Sequence, residues 1–199
     1  MDAGPIVIQK VEEINDDVDD ATFVLPFLFD IGTKCLLEVI PNVINGQITM
    51  ENSMQQDESL VVNADMIDSS EGELKVWRDN ARVCHNKVRG FSMWPGTFMH
   101  FVIGDDVDVE PVKVKILKSR VLYDNPGSVD LTKDVVLGPD KKDGLHLVCG
   151  DGSLLELLQV QPLTRKAMDA RSFVNGLRGE RLRWVEMSES EEMNNDSDK

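Results

Sequence analysis

The chain has 199 residues, 41% hydrophobic and 29% charged, with a formal net charge of −15. That length suits one ordinary domain or two small ones, and the composition is that of a soluble globular protein. No run of about 18 apolar residues exists to cross a membrane as a helix, and Met1-Asp2-Ala3-Gly4-Pro5 fits neither a secretory signal nor a transit peptide, so any import signal is expected outside this chain.

In chain order, Ile6–Val11 reads as a strand fed by the Gly4-Pro5 turn, followed by an acidic turn to Asp20. Leu25, Leu28, Phe29, Gly32, Leu36, Val39, Ile40 and Val43 then recur at three- and four-residue steps, which predicts a helix. Asp20 or Thr22 caps its start and Asn45-Gly46 stops it, while Pro41 is expected to kink or shorten its last turn. Residues 47–70 are polar and read as an extended connector. A second helix is predicted from Trp77 to about Arg89, with Val76, Ala81, Cys84 and Val88 as its apolar stripe. From Thr97 the pattern changes to short strands: Phe98–Ile103, Pro111–Tyr123, Val135–Leu137, Leu145–Cys149 and Leu154–Val160. Turns fall at Gly104-Asp105, Asn125-Pro126-Gly127, Gly138-Pro139, Lys142-Asp143-Gly144 and Gly150-Asp151-Gly152. Five such strands suggest a small barrel of OB type, closed by a helix over Asp169–Arg178. Ser188–Lys199 reads as a disordered acidic tail.

Charge is distributed unevenly. Residues 1–72 carry two basic against fifteen acidic groups, residues 73–186 eighteen against sixteen, and residues 187–199 one against five. Only the middle stretch could meet a phosphate backbone favourably. Its cationic candidates fall in three places. Arg82, Lys87 and Arg89 lie beside Phe91, Trp94 and Phe98. This is either a phosphate-contacting patch with stacking aromatics, or a junction in which Phe91 and Trp94 are buried against the barrel; the second is the expectation. Lys113, Lys115 and Lys118 alternate with Val112, Val114 and Ile116, as the wet face of a strand or as a basic strand facing RNA. Arg165, Lys166 and Arg171, with Arg178, Arg181 and Arg183 beyond, form the densest basic run. Cys35, Cys84 and Cys149 have no CxxC spacing, so buried free thiols are expected and neither a metal site nor a disulfide framework. Gly150 and Gly152 are expected to serve a hairpin turn rather than cradle a phosphate, since no helix follows.

Four segments in one order resemble the methionyl-tRNA formyltransferase family. Asp2-Ala3-Gly4-Pro5-Ile6 is similar to its DAGPI element, and Asn86-Lys87-Val88-Arg89-Gly90-Phe91-Ser92-Met93-Trp94-Pro95-Gly96 to its N-x-x-R-A-F-x-x-W-P-G segment. Cys149-Gly150-Asp151-Gly152 with Gln161-Pro162 resembles its CGDG…Q segment, and Arg165-Lys166-Ala167-Met168 with Phe173 and Gly176 its closing pattern. The resemblance implies an α+β chain: residues 1–50 a strand-helix remnant of a Rossmann-like catalytic domain, 51–90 a linker with a helix, 91–186 an OB-like barrel domain, 187–199 a tail. It implies formyl transfer from 10-formyltetrahydrofolate to initiator methionyl-tRNA, with no metal, no DNA and no membrane. The compartment would be a mitochondrion or plastid in a eukaryote and the cytoplasm in a bacterium. The family's chemistry uses an Asn, a His and an Asp; Asp2 matches the Asp, and the other two would fall before Met1. His85, His100 and His146 match no catalytic position. Met1 is therefore expected to be an internal methionine of a longer protein, and this chain alone to be inactive, with most of the folate pocket missing. The alternatives are a non-catalytic tRNA-binding OB-like module, or part of another folate-dependent formyltransferase. The apolar face of the first helix is expected to stay exposed, since one strand and one helix cannot close a sheet.

Overall fold

The computed structural model describes residues 4–106, 109–123, 132–138 and 143–187. Asp2, the Asn125-Pro126-Gly127 turn and the acidic segment from Ser188 onward lie outside the described residues. The chain divides into two compact units, Met1–Met66 and Ile67–Lys199.

In the first unit, α1 spans Ala21–Ile44. Asp20 caps it, its side chain accepting the N–H groups of Thr22 at 2.9 Å and Phe23 at 3.2 Å, which satisfies donors the first turn leaves orphaned. Pro41 does not shorten the last turn: the helix runs on to Ile44 and the Pro41 carbonyl still accepts the Asn45 N–H at 3.0 Å. So late in a helix a proline removes only one ladder bond. The strand expected over residues 6–11 is not formed. Ile6 makes a single antiparallel bridge to Met54, with N–H···O distances of 2.8 and 3.2 Å, and the following residues have no strand beside them. Cys35 is the one buried residue of α1. Its aliphatic side chains, with Ile6, Val7 and Ile8, line an open groove of about 720 Å³, and Phe29 and Leu37 face solvent. Among the described residues, no helix is long and apolar enough to cross a membrane.

The second unit is an antiparallel sheet around one core. Its strands are β1 (Thr97–Ile103), β2 (Val112–Tyr123), β3 (Val136–Leu137), β4 (Leu145–Val148), β5 (Leu154–Pro162), β6 (Met168–Asp169) and β7 (Leu182–Val185). The order is β3-β4-β5-β2-β1-β7, with β6 on β5. The two edges meet: Val135 N–H reaches Leu182 O at 2.9 Å, and Trp184 N–H reaches Lys133 O at 3.0 Å. The sheet is thereby nearly closed into a barrel, which leaves few open edges. Five strands are expected from sequence; β6 and β7 add two. Inside lie Trp184, Phe101, Met99, Ile116, Leu145, Leu155 and Leu157, each under 3% exposed. Burying such a side chain stabilises the fold by about 1.5–3 kcal/mol.

Helix α2 spans Ala81–Gly90, starting four residues later than the periodicity predicts. Asn80 caps it by accepting the Val83 N–H at 2.8 Å, and Trp77 is instead stacked on Trp184 at 5.8 Å. The helix packs on β2 and β5, burying Ala81, Cys84, His85 and Val88. The turn after β4 locks onto its N-terminal end: Gly150 N–H bonds Val76 O at 2.7 Å and the Ser153 hydroxyl accepts the Ala81 N–H at 2.8 Å. Gly150 is glycine for a packing reason, since a Cβ there would stand 2.3 Å from the Trp77 carbonyl oxygen. Helix α3 (Ala170–Gly176) is capped by Asp169 and packs on β3 and β5.

Candidate nucleic-acid interface

The outward face of β1, β2 and β5 is assembled by strand register. Phe98 stands opposite Lys115, and Lys115 opposite Gln161. With strands about 4.8 Å apart, that rung crosses roughly 10 Å of surface. One rung along, His100 pairs with Lys113. The Lys113 ammonium sits 3.7 Å from the centroid of the Phe98 ring, a cation–π contact. Lys113 and Lys115 are exposed, while Val114 and Ile116 between them are buried. The Gln161 amide donates to the Arg165 carbonyl at 3.0 Å. This ties the exposed Arg165-Lys166 turn to the end of the rung.

A bulge extends the basic face. Register slips on either side of Lys118, between Ile116 and Lys118 and again between Lys118 and Ser119. An extra residue in one strand shifts which side chains point outward. Exposure therefore moves from odd positions (Lys113, Lys115) to even ones (Lys118, Arg120). Simple alternation does not find Arg120. Its guanidinium is taken by Glu156, with N–O distances of 2.7 and 2.6 Å.

The other candidates separate. Lys87 donates to the Glu73 carbonyl at 3.2 Å, and Arg89 to the Asn86 side chain at 3.0 Å; both are half-buried on α2, as is Arg82. Arg171 donates to the Gly138 carbonyl at 3.2 Å. Arg181 bonds Asp134 at 2.5 Å and Arg183 the Gly104 carbonyl at 3.2 Å. The basic run of the late sequence is thus divided between barrel closure and the Arg165-Lys166 turn. Trp94 is 58% exposed and Met93 61%, so the buried junction expected for Trp94 is not formed; the turn 91–96 holds it outward, with Gly96 N–H on the Phe91 carbonyl at 3.0 Å. Phe91 is half-buried.

Beside Phe98, Glu73 and His100 are both buried, with Oε1 and Nδ1 3.4 Å apart but poorly aligned for a hydrogen bond. The Phe98 and His100 rings meet edge-on at 5.6 Å. The Cys84 thiol is pushed well above its ordinary range by its hydrogen bond with Cys149 and by burial; neither is a reactive thiol. Among the described residues no cluster of His, Cys, Asp or Glu could hold a metal ion. The α1 groove does not fit a folate, because aliphatic side chains form most of its wall and leave the polar edges of a pterin unpaired.

Fold and face together define a nearly closed antiparallel barrel with a cationic, aromatic-flanked strand surface. Residues 66–178 match the family described as formyl transferase, C-terminal domain, and the chain belongs to that family. Among its relatives are proteins named methionyl-tRNA formyltransferase. That of Anaeromyxobacter sp. (strain K) is 28% identical over 183 residues, 92% of this chain and 54% of that protein. That of Methylococcus capsulatus is 30% identical over 184 residues, with the same coverage. That of Lactococcus lactis subsp. lactis is 31% identical over 177 residues, 89% of this chain and 50% of that protein. The resemblance drawn from the four ordered segments is borne out. The chain spans about half the length of these relatives.

Proposed function

We propose that this chain supplies the RNA-holding part of a methionyl-tRNA formyltransferase, which moves a formyl group from 10-formyltetrahydrofolate to the methionine amino group of initiator methionyl-tRNA. The carrying observation is the rung Phe98–Lys115–Gln161 with Lys113 on the Phe98 ring. It puts exposed cations and an aromatic edge on one strand face, the combination by which proteins hold phosphate and base together. On this reading the barrel is OB-like, residues 51–90 join it to residues 1–50, and residues 1–50 belong with a Rossmann-like catalytic domain. Asp2 is the family's catalytic carboxylate, and the chain by itself does not turn over. The relatives are bacterial, which favours a cytoplasmic setting; in a eukaryote the same activity would belong to a mitochondrion or plastid.

The test is a titration of the full chain with initiator methionyl-tRNA at several salt concentrations. At and above physiological salt, binding is expected to weaken log-linearly, and Lys113→Ala with Lys115→Ala to reduce the slope by roughly 0.7–0.9 per phosphate contact removed. A salt-independent affinity, or an unchanged slope in the double variant, refutes the reading. Incubation of the chain with 10-formyltetrahydrofolate and methionyl-tRNA is expected to give no formylmethionyl product.

A further inference from the structure

The turn between α2 and β1 is fixed at both ends yet holds its largest side chain outward. At one end the Phe91 N–H closes α2 on Lys87 O at 2.9 Å. At the other, the Thr97 hydroxyl donates to the Ile116 carbonyl at 2.7 Å, pinning the start of β1 to β2. Between them Trp94 and Met93 face solvent. Thr97 lies opposite Ile116, so the turn leads into the strand pair in which the next residues, Phe98 and Lys115, stand opposite each other. Trp77 and Trp184 are used differently: they stack on each other at 5.8 Å, with Trp184 buried.

An exposed π face on a turn that leads into a strand pair carrying exposed cations is complementary to one chemistry in particular. An unpaired nucleotide offers a base to stack and a phosphate to pair, and base–aromatic stacking tolerates any base. A base within a duplex offers no free face. We propose that Trp94 stacks on an unpaired nucleotide of the bound RNA while Lys113 and Lys115 hold the adjoining phosphates. This rests on the RNA-holding reading above and narrows it: the ligand is an RNA with a nucleotide out of its helix, in a loop or a single-stranded end.

The experiment follows tryptophan fluorescence of the full chain during titration with two RNAs, a blunt-ended duplex of two separate strands and the same duplex with a short single-stranded extension. The extended RNA is expected to bind about tenfold tighter and to quench emission. Trp94→Phe is expected to remove the quenched component, assigning it to this residue, and Trp94→Ala to collapse the two affinities onto one. Equal affinities in the parent chain overturn the inference, as does an affinity gap that survives in Trp94→Ala, while salt-sensitive binding of both RNAs would leave the RNA-holding reading standing. Binding of neither RNA overturns both.

Discussion

Among the described residues Glu156 is the one carboxylate of the barrel with no exposed surface, and its surroundings set what its loss should cost. Strand register puts it between Arg120 on β2 and His146 on β4. Two Arg120 nitrogens lie 2.7 and 2.6 Å from Oε2. Oε1 accepts the Gly144 N–H at 2.6 Å and faces His146 Nε2 at 3.3 Å. Burying a carboxylate costs several kcal/mol, offset only while these partners stay in place. Glu156→Gln presents one acceptor and one donor where both sides offer donors, so it should destabilise the barrel by about 1–3 kcal/mol. Arg120→Ala is the more informative change. Its side chain is 55% exposed, and counted as a surface ion pair it would contribute under about 1 kcal/mol. Its removal, however, leaves a buried charge undercompensated. After allowing for water entering at the exposed side, about 2 kcal/mol should be lost. The double variant should cost less than the sum of the two by at least about 1 kcal/mol. Urea unfolding followed by tryptophan emission reads the barrel unit alone, because Trp77, Trp94 and Trp184 all belong to it. An Arg120→Ala cost below about 0.5 kcal/mol with an additive cycle would show that Glu156 does not depend on its partner, and the argument would fall.

Gly150→Ala drives a Cβ to within 2.3 Å of backbone at Trp77 and should cost about 3 kcal/mol or more, visible as a lowered thermal midpoint. Asp169→Ala removes the α3 cap, in which the carboxylate accepts the Ser172 N–H and hydroxyl at 2.8 Å each, for about 1 kcal/mol. Those bonds hold the Asp169 carboxyl below its ordinary range, the Ser172 N–H contributing most. A depressed carboxylate stabilises above its unfolded pKa and loses that stabilisation as pH falls through its folded value. The gap between parent and variant should therefore narrow below about pH 4, in unfolding curves run at neutral and acid pH. Cys84 and Cys149 should resist a thiol reagent in the native chain and react once it is unfolded by urea; rapid native labelling would contradict their burial.

What sequence reveals here is set by how local each cause is. The α1 stripe and its Asp20 cap are short-range, and helix and cap lie where the spacing predicts. Strands β1, β2 and β5 are apolar or alternating runs between turn residues, and the predicted bounds fall within two residues of those observed. The run from Ile6 has the right composition but lacks the neighbour that makes a strand, which composition cannot report. Strand β7 is hidden by its charges: Arg183 lies between buried Leu182 and Trp184, and its guanidinium is satisfied by a carbonyl far away in sequence. The same holds for the candidate site. Lys113 and Lys115 follow from a local period, whereas Lys87 and Arg171 are drawn toward carbonyls at Glu73 and Gly138. Trp94 is misplaced for the complementary reason: a Trp beside Pro and Gly reads as packing, and only the assembled turn puts it outward.

The acidity of the chain sharpens the argument for a local interface instead of opposing it. Residues 1–72 alone account for a net of −13. At physiological ionic strength the Debye length is about 8 Å, less than the roughly 10 Å spanned by the Phe98–Gln161 rung. Contact affinity at that salt is therefore governed by the charges within the rung and its neighbours, where Lys113, Lys115 and Lys118 face outward and Glu73 is turned into the fold. At low salt the screening length grows to about 30 Å at 0.01 M, and the net charge of −15 of the chain as a whole then acts on an approaching polyanion as well. An RNA held by this face should accordingly depart from log-linear behaviour at the low-salt end, binding less tightly than extrapolation from physiological salt requires. A uniformly basic surface would keep tightening as salt is withdrawn. Curvature of that sign in the salt titration distinguishes a small cationic face on an acidic protein from general attraction between a protein and RNA.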